Sequence, residues 1–458
     1  MTALAVLGTC LAIAGPPARA ATSRLDSPRL AEIARGVPTG GVLRIEGITV
    51  PGGGTTALEL ERFRVFSPAA RILVHAPEGL EARQAPRTAY FRGRLERDPE
   101  SLALVALPGV LSLPSSGPRG WIATQGRWLR IVPGDQGSPP EILETDLAAS
   151  EPPADGFCAA GSLDDLPPGS LPPPLPTTSP PAERTAGEVQ YAVDLAIDTD
   201  WELFQRFGSA PAATDYLADL VAAASAIYAR DVSTQLQLSL LILWETPADP
   251  WTVESDLLEA LYELGDWWHA NHAGTERTLA HLASGKTGLA GGIAYGGVLC
   301  SPDIFVNGHW AGGYAVTGAV GSNTQFRDLF VFSHELGHNF DSRHTHCYND
   351  VPLPGDPEID QCRSGETTGG GHVCYAGPET VPPDGGSIMS YCHLQPGGYG
   401  NINLWLGREG FYGIRSERVP EKMLQHVEEV AACLPPPTDL FADGFESGDT
   451  SAWSSTVP

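Results

Sequence analysis

A run of histidines in the C-terminal half constrains this chain more than any other feature. Residues 331–346 read VFSHELGHNFDSRHTH, with His334 and His338 four residues apart and Glu335 between them. Four residues on an α-helix turn through about 400° and rise roughly 6 Å, so the two imidazoles lie on one face and can hold one metal ion. Glu335 lies about 100° round from His334, close enough to contact a water on that metal. The pattern predicts a helical metal site with an adjacent base.

A third histidine, His344, follows ten residues after His334. On a continuing helix it would lie about 15 Å along the axis from His334, beyond reach of the same metal. The chain must therefore reverse soon after His338, and we predict a turn near Asp341. After glycine, Asp and Asn adopt the left-handed backbone of such a turn at the lowest cost.

A methionine and a tyrosine follow in the segment GGSIMSYCH, where they are Met389 and Tyr391. The spaced histidines followed by this methionine resemble the metzincin pattern of zinc proteases, with Asp341 in place of the family's glycine. The resemblance implies that Met389 forms an apolar floor beneath the zinc. Tyr391 occupies the position of a tyrosine that approaches the zinc in astacins and serralysins, and a packing role is the alternative. The zinc ligands that the resemblance implies are His334, His338 and His344.

The resemblance is greatest to the adamalysins, or reprolysins. It implies a secreted zinc-dependent endopeptidase that hydrolyses peptide bonds in proteins through a zinc-activated water, with Glu335 as the general base. The alternative is a zinc-containing, non-catalytic binding or adhesive domain. A zinc peptidase of gluzincin type, with a downstream glutamate as its third zinc ligand, is disfavoured by His344 and Met389. A serine hydrolase is disfavoured because the chain has no G-x-S-x-G motif.

Charge and length restrict the partners and the domain count. The 458 residues carry 28 Lys and Arg against 55 acids, a net charge of −27, which argues against a nucleic-acid partner. An apolar content of 42% is sufficient for two domains with cores of their own. We expect protein or peptide substrates and a monomer.

Composition divides the chain into five parts. An apolar run from Ala3 to Gly15, followed by the small-residue site Ala18-Arg19-Ala20, predicts a signal peptide and bacterial export to the extracellular space. The run is too short to span a membrane. The part before the linker is rich in short alternating strands, and its segment 90–133 resembles the propeptide of adamalysin zymogens, with an independent β-sandwich as the alternative. The predicted parts are a signal peptide (1–20), a β-rich propeptide (21–133), a Pro-rich linker (134–187), a protease domain (188–434) and a C-terminal tail (435–458).

Cysteine counting singles out Cys158 in the linker. Without Cys10 of the predicted signal peptide, seven cysteines remain, and six of them fall in the protease domain. Since six can pair and one is left over, we predict that Cys158 is a cysteine switch that occupies the zinc in the zymogen; the alternative is that it is paired or merely free. The adamalysin resemblance implies a bond between Cys300 and Cys433. The other four cysteines are expected to tie the loop after His344 to the methionine turn, with their pairing open.

The protease domain is predicted to be α/β (α+β), a mixed twisted sheet with long helices. Strand and helix patterns from Glu188 onward alternate in the order β-α-β-α-β-β-α. Its glycine-rich strand GGIAYGGVLC resembles the edge strand that borders the metzincin cleft, where an extended peptide can pair. Ser322 and Gln325 form a candidate capping box at the start of the zinc helix. The residues 419–434 are predicted to form an amphipathic C-terminal helix.

Four acids follow His344 in a loop whose spacing does not fit an EF-hand. We expect a solvated acidic loop, with calcium as the alternative. These acids are Asp350, Asp356, Glu358 and Asp360.

Overall fold

Two large sheets organise the part of the chain that the computed structural model describes. The described residues are 21–27, 29–108, 117–134, 138–148, 189–322, 324–368 and 371–437. The predicted signal peptide, most of the linker with Cys158, and most of the C-terminal tail lie outside the described residues. Within them, no helix combines the length and the apolar character needed to cross a bilayer.

The N-terminal region is β-rich, as predicted, and has one short helix. In chain order its elements are β1 (Ala21–Arg24), α1 (Leu30–Arg35), β2 (Val42–Val50), β3 (Gly54–Phe63), β4 (Phe66–Ala76), β5 (Gly79–Arg83), β6 (Ala89–Leu95), β7 (Asp98–Leu107), β8 (Arg119–Thr124), β9 (Arg127–Val132) and β10 (Glu141–Thr145). Eight of the strands form one sheet in the order β1-β2-β3-β6-β7-β8-β9-β10. All neighbours in it are antiparallel except β1 and β2. Alternating buried residues of β2 and β3 give this sheet an apolar face of its own.

The C-terminal region builds the second sheet and carries the long helices. Its elements are β11 (Tyr191–Thr199), α2 (Trp201–Phe207), α3 (Ala210–Val232), β12 (Thr234–Trp244), α4 (Leu257–His272), β13 (Leu279–Ala283), β14 (Gly291–Ala294), β15 (Ile304–Val306), β16 (His309–Ala311), β17 (Tyr314–Gly318), α5 (Gln325–Asn339) and α6 (Arg418–Glu429). The sheet has the order β14-β17-β13-β11-β12-β4-β5. β14 runs antiparallel at one end, as expected of the predicted edge strand. This mixed α/β architecture confirms the predicted fold class.

The hairpin of β4 and β5 belongs to the second sheet and not to the first. β4 lies parallel to β12, with Leu240 opposite Arg71 and Trp244 opposite His75. The sequence pattern predicts one separate β-rich domain for all strands before Pro133. That assignment is wrong for this hairpin, because a strand's apolar pattern does not specify which sheet it joins.

The predicted order of elements in the C-terminal region is also incomplete. It lacks α2, the small β15–β16 hairpin and β17, which lies between β13 and β14 inside the sheet. β17 has only five residues, YAVTG, and follows Gly312 and Gly313, so it offers too short a periodic pattern to identify. Its burial comes from its neighbours in the sheet.

Helix α5 begins later than the proposed capping box at Ser322. The N-cap is Thr324, whose hydroxyl accepts a hydrogen bond from the Arg327 N–H at 3.2 Å. The Ser322 hydroxyl instead donates to the Ala319 carbonyl in the preceding turn. Ser and Thr both serve as N-caps, with Ser slightly preferred, so residue type alone does not identify Thr324.

The position of β4 leads to a stability prediction. Ile72 of β4 is 2% exposed, whereas Leu80 of β5 is 60% exposed. Because Ile72 packs in the core shared with β12 and α3, we expect Ile72→Ala to lower the free energy of unfolding by about 2–5 kcal/mol. Leu80→Ala should change it by less than about 0.5 kcal/mol. Urea unfolding followed by tryptophan fluorescence measures both, and equal midpoints for the two variants would contradict the assignment.

Candidate active site

The three predicted zinc ligands meet at one point. His334 and His338 lie one turn apart on α5, and their Nε2 atoms are 3.2 Å apart. The Nε2 atom of His344 lies 3.1 Å from that of His338. Nitrogens bound to a tetrahedral zinc at about 2.0–2.1 Å are about 3.3 Å from each other, so the spacing fits this ion.

The turn that brings His344 back is the one predicted at Asp341. Helix α5 ends at Asn339, and Asp341 has a left-handed backbone with φ of 71°. Its N–H donates to the His338 carbonyl at 2.8 Å, and the Ser342 N–H donates to the Gly337 carbonyl at 2.9 Å. The Asp341 carboxylate also forms an ion pair with Lys422 of α6. A left-handed aspartate thus closes the helix without the glycine that the family pattern carries.

Each of the three imidazoles is fixed through its other nitrogen. The Nδ1 atoms lie 2.8 Å from the Ile388 carbonyl for His334 and 2.9 Å from the Ser342 carbonyl for His338. The Nδ1 atom of His344 lies 2.8 Å from a carboxylate oxygen of Glu366. Carbonyl and carboxylate oxygens only accept hydrogen bonds, so each Nδ1 carries the proton and each Nε2 offers a lone pair.

The imidazoles of His334 and His338 are also held neutral. Burial, reinforced by the neighbouring His338 and His344, lowers the pKa of His334 well below its ordinary value. Burial and the neighbouring His344 lower the pKa of His338 to about 3. A neutral imidazole is the form that binds a metal. The donor set therefore fits the zinc that the sequence predicts, with His334, His338 and His344 as the residues that would hold it.

Glu335 lies beside this cluster, between α5 and the edge strand β14. It is fully buried. A Cβ atom added to Gly292 of β14 would lie 2.5 Å from Oε1 of Glu335. The absence of a side chain at Gly292 is thus what leaves room for the carboxylate next to the histidines.

Met389 packs under the histidine helix, as the resemblance implies. It is fully buried, and its carbonyl accepts a hydrogen bond from the Thr345 N–H at 3.0 Å. A Cβ atom added to Gly337 of α5 would lie 2.3 Å from the Met389 sulfur. The sulfur therefore lies directly against the helix backbone between His334 and His338.

Tyr391 lies next to the ligands and is 5% exposed. Its ring centroid is 4.3 Å from that of His344 and 6.1 Å from that of His334. This ring packing agrees with the packing role that the sequence left as an alternative. The catalytic role stays a prediction. Cys158, the predicted switch, lies outside the described residues.

The residue that the sequence analysis missed is Glu366. One of its carboxylate oxygens accepts from Nδ1 of His344, and the other lies 2.9 Å from Nε2 of His346. Burial raises the pKa of this carboxyl, but the adjacent His344 and His346 outweigh the burial and hold the pKa well below its usual range. Glu366 is therefore a carboxylate that orients one ligand. It follows His344 by 22 residues, a separation that carries no motif.

The loop that carries Glu366 is closed by two disulfides. They join Cys347 to Cys374 and Cys362 to Cys392. As the sequence predicts, a bond ties the loop to the segment of the methionine turn, namely Cys362–Cys392, whereas Cys347–Cys374 closes the loop on itself. The third disulfide joins Cys300 to Cys433, which the adamalysin resemblance implies.

The four loop acids divide into separate roles. Asp360 is buried and accepts from the Thr345 hydroxyl and the Cys362 N–H. Asp356 pairs with Arg415, and Asp350 accepts from the Gly355 N–H. Among the described residues, the clusters compact enough to hold a metal include neither Asp350 nor Asp356. Asp350 is exposed, as expected of a solvated loop, but the prediction is wrong for Asp360, which is buried; calcium stays an untested alternative.

A buried three-histidine face with an adjacent glutamate and a methionine turn defines a metzincin-like zinc metalloprotease. The model of the family Reprolysin_5, described as metallo-peptidase family M12, matches residues 189–403. This match spans all three histidines, Glu335 and Met389. Residues 189–403 are thus similar to metallopeptidase family M12, which supports a zinc-dependent peptidase of metzincin-like type.

Similar solved structures include metalloproteinase-II from Bacteroides fragilis. It is 12% identical, covers 75% of this chain and 94% of its own, and has a TM-score of 0.36. A structure of a chaperone–substrate complex is 13% identical, covers 54% of this chain and 36% of its own, and has a TM-score of 0.31. No curated protein matches the chain at a significant level.

The contacts of Glu366 predict a measurable effect on zinc binding. Glu366→Ala removes the acceptor of His344 Nδ1, so we expect zinc affinity to fall by about 10–100-fold. Chelator competition measures this. Glu358→Gln is the matched control, because Glu358 lies in the same loop and its carboxylate accepts from Gln361 instead of a histidine. An unchanged affinity in Glu366→Ala would show that the disulfide loop alone fixes His344.

Proposed function

We propose that this zinc-dependent peptidase is an exported endopeptidase of reprolysin type, in which Glu335 is the general base. The observation that carries the proposal is the buried Glu335 carboxylate, which packs against Gly292 of the edge strand and follows His334, one of three oriented histidines, on α5. When bound there, Zn²⁺ supplies a Lewis acid and lowers the pKa of a water to about 7. The Glu335 carboxylate would accept a proton from the attacking water and pass it to the leaving amine.

The edge strand supports an endopeptidase over an exopeptidase. Among the described strands, β14 has β17 as its only neighbour, and it lies against Glu335 through Gly292. A terminal strand can pair with an extended peptide through its main chain. Such pairing positions an internal peptide bond and places few demands on side chains, which suits proteins as substrates.

We also propose that the protein is exported and that Cys158 keeps it latent. The three disulfides suit an oxidising compartment, in agreement with the predicted signal peptide. These bonds account for six of the chain's eight cysteines, and Cys10 belongs to the predicted signal peptide. Cys158 is then the remaining thiol of the mature chain. We propose that its thiolate blocks the zinc until the linker is cut.

Substitution of Glu335 tests its role as the general base. In the chain cut within the linker, we expect Glu335→Gln to reduce casein hydrolysis by about 10²–10⁴-fold, because the water loses its proton acceptor. Zinc content should stay at the level of the unsubstituted protein. Glu259→Gln, an exposed position on α4, serves as the control and should keep full activity.

Two results would oppose this assignment. Full activity in Glu335→Gln would exclude Glu335 as the base. A zinc-loaded unsubstituted protein that cleaves no unfolded protein would instead favour the non-catalytic binding domain.

Substitution of Cys158 tests latency in the uncut chain. We expect Cys158→Ala to hydrolyse casein without linker cleavage, whereas the unsubstituted uncut chain does not. Ala159→Ser changes the neighbouring residue and should leave latency intact. Equal activity of the unsubstituted and Cys158→Ala chains before any cut would exclude Cys158 as a cysteine switch.

A further inference from the structure

The N-terminal region completes the catalytic sheet through main-chain hydrogen bonds. β4 continues the sheet beyond β12 and is itself followed by β5. At the two ends of this pairing, the Leu238 N–H donates to the Val65 carbonyl at 2.7 Å and the Glu245 N–H donates to the His75 carbonyl at 3.0 Å. A strand inside a sheet cannot leave without breaking an entire ladder.

A buried ion pair crosses the same interface. Asp219 of α3 is 7% exposed. One of its oxygens accepts from the Tyr90 hydroxyl at 2.9 Å, and the Arg119 guanidinium contacts both of its oxygens. Tyr90 and Arg119 belong to the N-terminal sheet. Substituting Arg119 would leave a buried carboxylate without its cation, which is strongly destabilising.

The N-terminal sheet also packs on the helix that carries the histidines. Trp128 of β9 meets Phe326 of α5 edge to face, with ring centroids 5.3 Å apart. Trp121 stacks on Trp128 with centroids 4.7 Å apart. All three aromatic side chains are at most 2% exposed, so they form one core and not two surfaces in contact.

We propose that residues 21–148 stay bound to the catalytic region after the linker is cut, as the second chain of a non-covalent enzyme. The region between 149 and 188 then carries the latency, while the N-terminal region is a permanent part of the fold. A released propeptide would need a smaller and more polar interface than this ladder, ion pair and shared core. This inference does not depend on peptidase activity.

The test uses the full chain with Glu335→Gln, which prevents self-cleavage, and with a specific protease site inserted near Arg184. The protein is cut after it has folded and is then passed over a sizing column. We expect both fragments to elute together at the mass of the uncut chain and to separate only in concentrated guanidinium. Separate elution without denaturant, with the catalytic fragment keeping its near-ultraviolet circular dichroism, would overturn the proposal.

A pair of arginine variants tests the interface itself. Arg119→Met leaves Asp219 without its cation, so we expect the dissociation constant of the cut fragments in moderate urea to rise at least about 100-fold. Arg127→Met is the control, because Arg127 pairs with Glu144 inside the N-terminal sheet. Cutting after purification restricts the comparison to variants that folded. Equal dissociation constants for the two variants would contradict the proposed interface.

Discussion

The site depends on three hydrogen bonds at the Nδ1 atoms of the histidines. A free imidazole can offer either nitrogen, and only a fixed Nδ1–H directs the Nε2 lone pair toward a common point. The three acceptors come from different places: the Ser342 carbonyl in the turn after α5, the Ile388 carbonyl before Met389, and the Glu366 carboxylate in the disulfide loop. The histidine spacing makes a shared metal feasible, but these acceptors determine the geometry.

The loop with Glu366 is therefore held from several sides. Its two disulfides join residues 27 and 30 positions apart in the sequence. In the chain-entropy account, each bond raises the free energy of the unfolded chain by about 3–4 kcal/mol. The buried Arg418 of α6 donates to the carbonyls of Tyr348, Val351 and Pro357 at 2.8–3.1 Å. The C-terminal helix thus supports the loop whose Glu366 orients His344.

Features that depend on nearby residues could be predicted from the sequence. Helical spacing placed His334 and His338 on one face, and the reach of a helix required the turn at Asp341. The features that were missed depend on residues far apart in the chain. Glu366 meets His344 because the disulfides and Arg418 fold the intervening loop, and β17 is a strand because β13 and β14 lie on either side of it. Local patterns carry no information about either contact.

The sequence of β12 explains why the catalytic sheet needs the N-terminal hairpin. β12 reads TQLQLSLLILW, and all of its residues except Ser239 are buried. An apolar run of this kind suits a strand with neighbours on both sides, since an exposed apolar edge would pair with other chains. β5 has the opposite character, with Glu81 and Arg83 forming an ion pair at the surface. The strand chemistry thus makes β5 the natural edge and β12 an interior strand, so the sheet under the active site is complete only when residues from both ends of the chain are present.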